Sequence, residues 1–533
     1  MFRLRLLRST CAAGAIAALT LVAPRPCEAV VPKPSADART FDVEAYDVDG
    51  AKLIAEVDVE RAVYPFAGPN RTREDIENAR AALQKVYQDR GYASVVVQIP
   101  VQSVADNIVR LHVIEAPVGR LRVTGARYFS PQAIRQEAAA FKEGEVPNIT
   151  LAQTELTELN RASDRRVNPV LRAGTVPGTV DVDLKVSDSL PLHASVELGN
   201  DHNQFTTPLR TSATVHYDNL WQMGHSASFT YAVAPEDRSN SEIFSGSYLA
   251  PIRNSPLSVV VYGYKSNSNV AALGGINVLG KGYSVGLRFV DQLPRVAGWS
   301  QTLSFGFDFK SFDENIQITQ TSASSDVIKY WPVTLAYNLR RDGDKTATKA
   351  SASLTVGTRG AGSDPVDFDN KRFGARSNFA HLNLDFTETE TLPRGFSASQ
   401  HVAGQVADGP LVSSEEFSAG GFTSVRGYLQ SEAVGDDGLT GTLEIVSPSI
   451  APRKARMIDD LRLFAFIDGG MLWILQPLAG QQSTFSLASA GAGLRLALLR
   501  RIKAEVAVAV PFISGSATGS DRPRATFSLK SDF

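Results

Sequence analysis

Leu303-Ser304-Phe305-Gly306-Phe307-Asp308-Phe309-Lys310 changes character at every residue. Successive side chains of an extended strand point to opposite faces. One face of this stretch is therefore Leu and three Phe, and the other is Ser, Gly, Asp and Lys. The same period of two recurs at Ala227, Phe229, Tyr231 and Val233, at Tyr283, Val285, Leu287 and Phe289, at Ala350, Ala352, Leu354 and Val356, and from Ile502 to Val510. A soluble sandwich alternates in the same way, so no single run decides the fold. Run length and the connections decide more. The runs are about ten residues, the length that a tilted membrane strand needs. Short connections, such as Asn254-Ser255 and Leu499-Arg500-Arg501, alternate with long polar ones at 311–325 and 407–437. Membrane barrels pair short periplasmic turns with long external loops. Residues 191–533 number 343, and about 21 residues per strand and connection gives about 16 antiparallel strands. The last run, Ala525 to Phe533, puts Phe527, Leu529 and Phe533 on one face.

The bulk figures fit this reading. Hydrophobic residues make up 43% and charged residues 21%, because only the lipid-facing half of a spanning strand must be apolar. Mean hydropathy is −0.09, and the absence of long apolar runs after the first 30 residues argues against a helical membrane protein. The N-terminus reads as a secretory signal over 1–29. Arg3, Arg5 and Arg8 precede a short apolar stretch from Cys11 to Ala23, and Cys27-Glu28-Ala29 offers a cleavage site. Both cysteines lie in that segment, so a disulfide framework and cysteine chemistry are not expected in the mature chain. Without residues 1–29, with four Arg and one Glu, the net charge moves from −2 to −5. That balance does not suggest a nucleic-acid partner. No His-Glu-x-x-His, P-loop or Gly-x-Ser-x-Gly motif occurs, and the seven histidines are scattered along the chain. Neither an enzyme, a cofactor nor a bound metal is expected. His216 and His225 read as structural residues, and Glu415-Glu416 as a solvated pair.

From 41 to 190 the texture is mixed. Thr72 caps a helix to Gln88 with Ile76, Ala79, Leu83 and Val86 on one face, and Gly91 stops it. Strands follow at 94–99 and 108–114. The pattern repeats with a strand at 121–123, a helix from Pro131 through Phe141, a second helix from Leu151 to Asn160 capped by Thr150, and strands at 169–173 and 179–186. This predicts two α+β units, 41–117 and 118–190, after a short segment at 30–40 and before a barrel at 191–533. The helix before Thr72 in the first unit is poorly marked.

The sharpest local string is Phe417 to Tyr428, FSAGGFTSVRGY, in the longest loop. On spacing alone Arg426 could be an incidental arginine in a solvated loop, and Asp468 a turn residue beside Gly469-Gly470. Val425-Arg426-Gly427-Tyr428 and Phe466-Ile467-Asp468-Gly469-Gly470, however, together resemble the transporters of two-partner secretion, the haemolysin and haemagglutinin exporter family within the barrel-assembly superfamily. Gly91 to Gln102 and Val167 to Thr175 are similar to its first and second POTRA domains. The likeness covers nearly all of the mature chain. Two departures are the short 30–40 segment, which puts a plug helix in doubt, and Gly199-Asn200-Asp201, which lacks the glycine that often follows.

The resemblance implies a 16-stranded outer-membrane barrel of a Gram-negative bacterium with periplasmic POTRA domains. The loop carrying Val425, Arg426, Gly427 and Tyr428 folds into the lumen, and Arg426 pairs with Asp468, flanked by Phe466 and Gly470. The implied function is export of an unfolded exoprotein of adhesin or haemolysin type, captured by β-augmentation on the POTRA domains and driven by its folding outside. The implied partners are that exoprotein, outer-membrane lipid and the barrel-assembly machinery that inserts the chain. The alternative is an insertase for other outer-membrane barrels; a passive porin would leave the POTRA domains without a role.

Overall fold

The computed structural model describes residues 40–102, 107–253, 255–268, 270–273, 276–279, 281–313, 327–452 and 456–533. The signal expected over 1–29, nearly all of the 30–40 segment, Asn254 and most of the 311–325 connection lie outside these residues. The chain forms two compact units.

In the N-terminal unit, Ala45–Asp49, Ile108–Ile114 and Val96–Gln98 form one sheet in that order. Ile108–Ile114 runs parallel to the first and antiparallel to the last. Its inward Val109, Leu111 and Val113 are buried, as alternation requires. Leu83 and Tyr87 of the helix Arg73–Asp89 pack into the same core with Val59 and Val63. Thr72 caps that helix with a full capping box, its hydroxyl accepting from Asp75 N and the Asp75 carboxylate accepting from Thr72 N. The poorly marked helix is Glu56–Val63, which has no side-chain cap.

A second three-stranded sheet orders Val118–Thr124, Val180–Asp188 and Arg165–Ala173. Its helices are Pro131–Glu137, continued by a 3-10 turn at Ala139–Phe141, and Ile149–Leu159. The cap of the latter differs from expectation. Asn148 Oδ1, not Thr150, accepts from Leu151 N at 3.0 Å, because the helix begins one residue ahead of Thr150.

Sixteen antiparallel strands from Leu192–Gly199 to Arg524–Asp532 close into a barrel, the number expected. Each strand pairs with its sequence neighbours, and the last pairs with the first through Ser528↔Gly199 to Asp532↔Ser195. One end carries short turns such as 297–298 and 499–501; the other carries long connections such as 363–379 and 408–436. In Trp299–Asp313 the Leu303, Phe305 and Phe307 side chains face outward and are exposed, whereas Asp308 is buried on the inner face. There Asp308 accepts from Arg288 Nη2 at 2.6 Å and from the Tyr262 hydroxyl. The apolar row thus faces lipid, and the polar row pairs its charges across the lumen wall.

Candidate functional site: a loop held in the barrel lumen

The connection 408–436 leaves the strand Ser397–Ala407 and returns as Asp437–Val446. Its own antiparallel pair, Phe417–Ala419 with Ala433–Gly435, makes it a hairpin whose tip holds Val425 to Tyr428. In the wall strand Ile458–Trp473, Leu463, Ile467 and Met471 are exposed, whereas Phe464, Phe466, Asp468 and Leu472 are buried. The tip packs against that inner face. Val425 and Tyr428 are fully buried in a cluster with Ala419, Ala433, Leu472 and Leu487.

Arg426 meets Asp468 with both its main chain and its side chain. Asp468 Oδ2 accepts from Arg426 N at 3.0 Å and Nε at 2.8 Å, and Oδ1 accepts from Nη2 at 2.9 Å. This is the bidentate fork that a planar guanidinium makes with a carboxylate. The remaining guanidinium nitrogen, Nη1, donates to Glu444 Oε2 at 2.6 Å. The Arg426 carbon Cζ lies 3.4 Å from the Phe466 ring centroid, so the aromatic face adds to the attraction. Both side chains of the pair are buried, Arg426 at 7% exposure and Asp468 at 0%. Such a pair holds only when further hydrogen bonds support it, and here each of the three guanidinium nitrogens donates to a carboxylate.

The flanking motif residues have separate tasks. Gly427 has φ +92°, and a Cβ there would lie 3.0 Å from Ala509 Cβ, so both conformation and close approach select glycine. At Gly470 a Cβ would meet Thr440 Cγ2 at 3.2 Å and Val425 Cγ2 at 3.3 Å; the bare backbone there is the seat of Val425. The Tyr428 hydroxyl accepts from Ala488 N at 3.1 Å and lies 2.7 Å from the Ile513 carbonyl. The structure therefore brings together all seven residues that the two motifs single out.

Several partners had no signal in sequence. Glu444 bridges Arg426 to Arg495, whose Nη1 donates at 2.6 Å, and Arg495 is forked onto Glu505 at 3.0 and 3.1 Å. The Ser489 hydroxyl donates to the Arg426 carbonyl. These residues lie on three of four consecutive barrel strands, and only their shared inward parity could have grouped them.

Glu415 and Glu416 are not the solvated pair expected. Glu415 is buried and accepts from Lys310 Nζ at 2.6 Å and from the Tyr330 hydroxyl, and it sits 3.3 Å from His381 Nε2. Burial alone would raise its carboxyl; Lys310 and His381 outweigh it and hold the group well below the usual carboxylate range. Glu416 Oε1 lies 3.8 Å from Arg372 Nε. The partners come from strands and loops far off in sequence, which adjacency of two acids cannot reveal. Asp436, fully buried, accepts from Leu411 N, Leu475 N and Arg372 Nη2. Glu432 accepts from Ala517 N and Thr518 N, and Asp201 from Phe422 N at 3.0 Å. The connections 200–209, 363–379, 474–483 and 512–523 are thereby all tied to 408–436.

Comparison with known proteins follows from this geometry. The model of the haemolysin secretion/activation protein ShlB/FhaC/HecB family matches residues 178–496, and that of the ShlB-type POTRA domain matches 41–116. The heme/hemopexin transporter protein HuxB of Haemophilus influenzae is 20% identical over 393 residues, 70% of this chain. The chain spans 66% of that relative's length, just under two thirds. CdiB from Escherichia coli superposes with a TM-score of 0.66 at 17% identity, over 95% of this chain and 93% of that one. For CdiB from Acinetobacter baumannii the values are 0.57, 16%, 93% and 90%. BamA from Haemophilus ducreyi lacking POTRA domains 1–3 gives 0.56 at 15% identity, over 93% and 100%. At these identities the structural likeness is one of fold: POTRA-type domains followed by a closed antiparallel barrel. Since the family model covers more than half of its residues, the chain belongs to the ShlB/FhaC/HecB haemolysin secretion/activation family.

Proposed function

We propose that this protein is a two-partner secretion transporter that carries one unfolded exoprotein, of adhesin or haemolysin type, from the periplasm to the cell surface. The observation that carries the reading is the Val425–Tyr428 turn seated on the inner wall by the Arg426 fork on Asp468. A loop fixed there narrows the lumen, and releasing or repositioning it would admit an extended chain. The units at 41–117 and 118–190 act as two POTRA domains that capture the cargo along an open sheet edge. Val96–Gln98 is such an edge, since among the described residues it pairs only with Ile108–Ile114. We further infer that the protein catalyses no reaction, that its barrel is placed in lipid by the barrel-assembly machinery, and that cargo folding outside supplies the drive.

Co-expression with candidate exoproteins of the same genome tests this. Arg426→Ala and Asp468→Ala are each expected to lower cargo in the medium at least tenfold while the barrel still inserts. Normal release from both variants would overturn the role of the pair. Normal release without the chain would overturn transport itself.

A further inference from the structure

His193 and His216 lie 23 residues apart in sequence yet are direct cross-strand partners in Leu192–Gly199 and Arg210–Leu220. Their rings stack with centroids 4.7 Å apart at 24°. Asp218 is two residues beyond His216 and so shares its face of the strand; its Oδ2 is 3.6 Å from His216 Nε2. One ring nitrogen from each histidine and one Asp218 oxygen lie within 4.8 Å of one another. Among the described residues no other group of three such side chains does so. The other histidines are engaged elsewhere: His112 with Asp49, His202 with the Asn200 carbonyl, His225 with Tyr248, His381 with Glu415 and His401 with Asp385.

We propose that His193, His216 and Asp218 bind one divalent transition cation of the zinc class, with Asp164 as the positioning residue. Two imidazoles and a carboxylate suit a borderline-soft cation that takes nitrogen and oxygen ligands, with water in the fourth position. Zinc bonds of about 2.0–2.1 Å place tetrahedral ligand atoms about 3.3 Å apart, so side-chain rotation has to close only about 1.5 Å. Asp164 strengthens the assignment. It is 7% exposed, and its Oδ2 lies 2.9 Å from His193 Nε2, which leaves Nδ1 for the cation. Its other oxygen accepts from the Ser189 hydroxyl at 3.3 Å. A buried carboxylate behind a ligating histidine fixes the ring's tautomer and orientation. Bound there, the cation would cross-link the start of one wall strand to the end of the next through side chains, beside the hydrogen bonds that already join them.

The test uses the full chain in detergent, purified without a histidine tag. Zn(II) is titrated calorimetrically, and Co(II) is followed by the visible bands of a four-coordinate ion. One equivalent is expected. His193→Ala and His216→Ala should each weaken binding at least tenfold. Asp164→Asn should weaken it about 10–100-fold while keeping the Co(II) band, and His225→Ala should leave it unchanged. Equal binding by wild type and the His193→Ala/His216→Ala double variant, or no binding by wild type, overturns the site. Should either alanine variant fail to insert, Asp218→Asn decides by the same criterion. Secretion is not the readout, so the outcome is independent of the transport reading.

Discussion

Arg426 makes four hydrogen bonds to two carboxylates, one from its main chain and three from its guanidinium. A lysine there would keep the charge but could not fork onto Asp468 and also reach Glu444. Arg426→Lys is therefore expected to cost about 2–3 kcal/mol, approaching the about 3–5 kcal/mol of breaking a buried pair outright. The check is the heat-modification midpoint of the folded barrel on semi-native gels, and a midpoint equal to wild type would show that charge alone suffices. Gly427→Ala, strained at positive φ and pressed on Ala509, should loosen the tip by about 1–2 kcal/mol, seen as faster proteolysis of 419–433. The Arg426–Asp468 pairing was implied only by the family resemblance that the two motifs carry; their spacing alone left Arg426 an incidental loop arginine. Glu444, Arg495 and Glu505 sit at ordinary alternating positions. Nothing local distinguishes an inward acid that meets a loop from one that meets water.

At the scale of elements, the barrel strands were the most legible part, since burying one face while facing lipid with the other imposes a period of two. The helix Glu56–Val63 was harder to read because only Val59 and Val63 are buried and its cap, Ala55, offers no side-chain acceptor. The root of the 408–436 loop was not legible at all, because its acids are satisfied by strands and connections far off in sequence. Glu415→Gln would take from the partly buried Lys310 its hydrogen-bonded carboxylate and should destabilise the root by about 3 kcal/mol, measured as protease cleavage within 408–418 of protein that is otherwise folded. Asp201 works in the opposite sense. Burial pushes its carboxyl up to about 6, against the Phe422 N–H and the positive charges of Arg524 and Arg210. The folded state then holds its proton more tightly than the unfolded chain, for which the ordinary value is 3.8. Its contribution to stability is thus full below pH of about 4 and is lost as pH rises to about 6. Asp201→Asn should abolish that slope, and the protection factor of the Phe422 amide, its exchange corrected for the intrinsic pH dependence, reads it across pH 4 to 7; an unchanged slope would remove Asp201 as its source.

For the whole molecule, the loop lies against the inner wall of the barrel, where four other connections help to hold it. Deleting 419–433 is predicted to raise single-channel conductance severalfold in planar bilayers, because the Val425–Tyr428 cluster leaves the lumen. Conductance equal to wild type would mean that the tip is not what limits the pore. The overall plan was readable because alternation, turn asymmetry and two motifs agree, whereas the meeting of His193 with His216 depends on strand register, which no linear spacing encodes.

The positions of the loop's two anchor sets along the chain have a consequence for how it can move. The groups that hydrogen-bond Arg426 and Tyr428 all come after them: Glu444, Asp468, Ser489 and Ile513 lie 18, 42, 63 and 85 residues from their partners. Glu415 instead binds Lys310, Tyr330 and His381, all made earlier. The root and the Arg426–Tyr428 turn are therefore anchored to different stretches of the wall. Losing the later contacts would free the turn while Glu415 still held the base, so the loop has a built-in hinge between a fixed root and a releasable end.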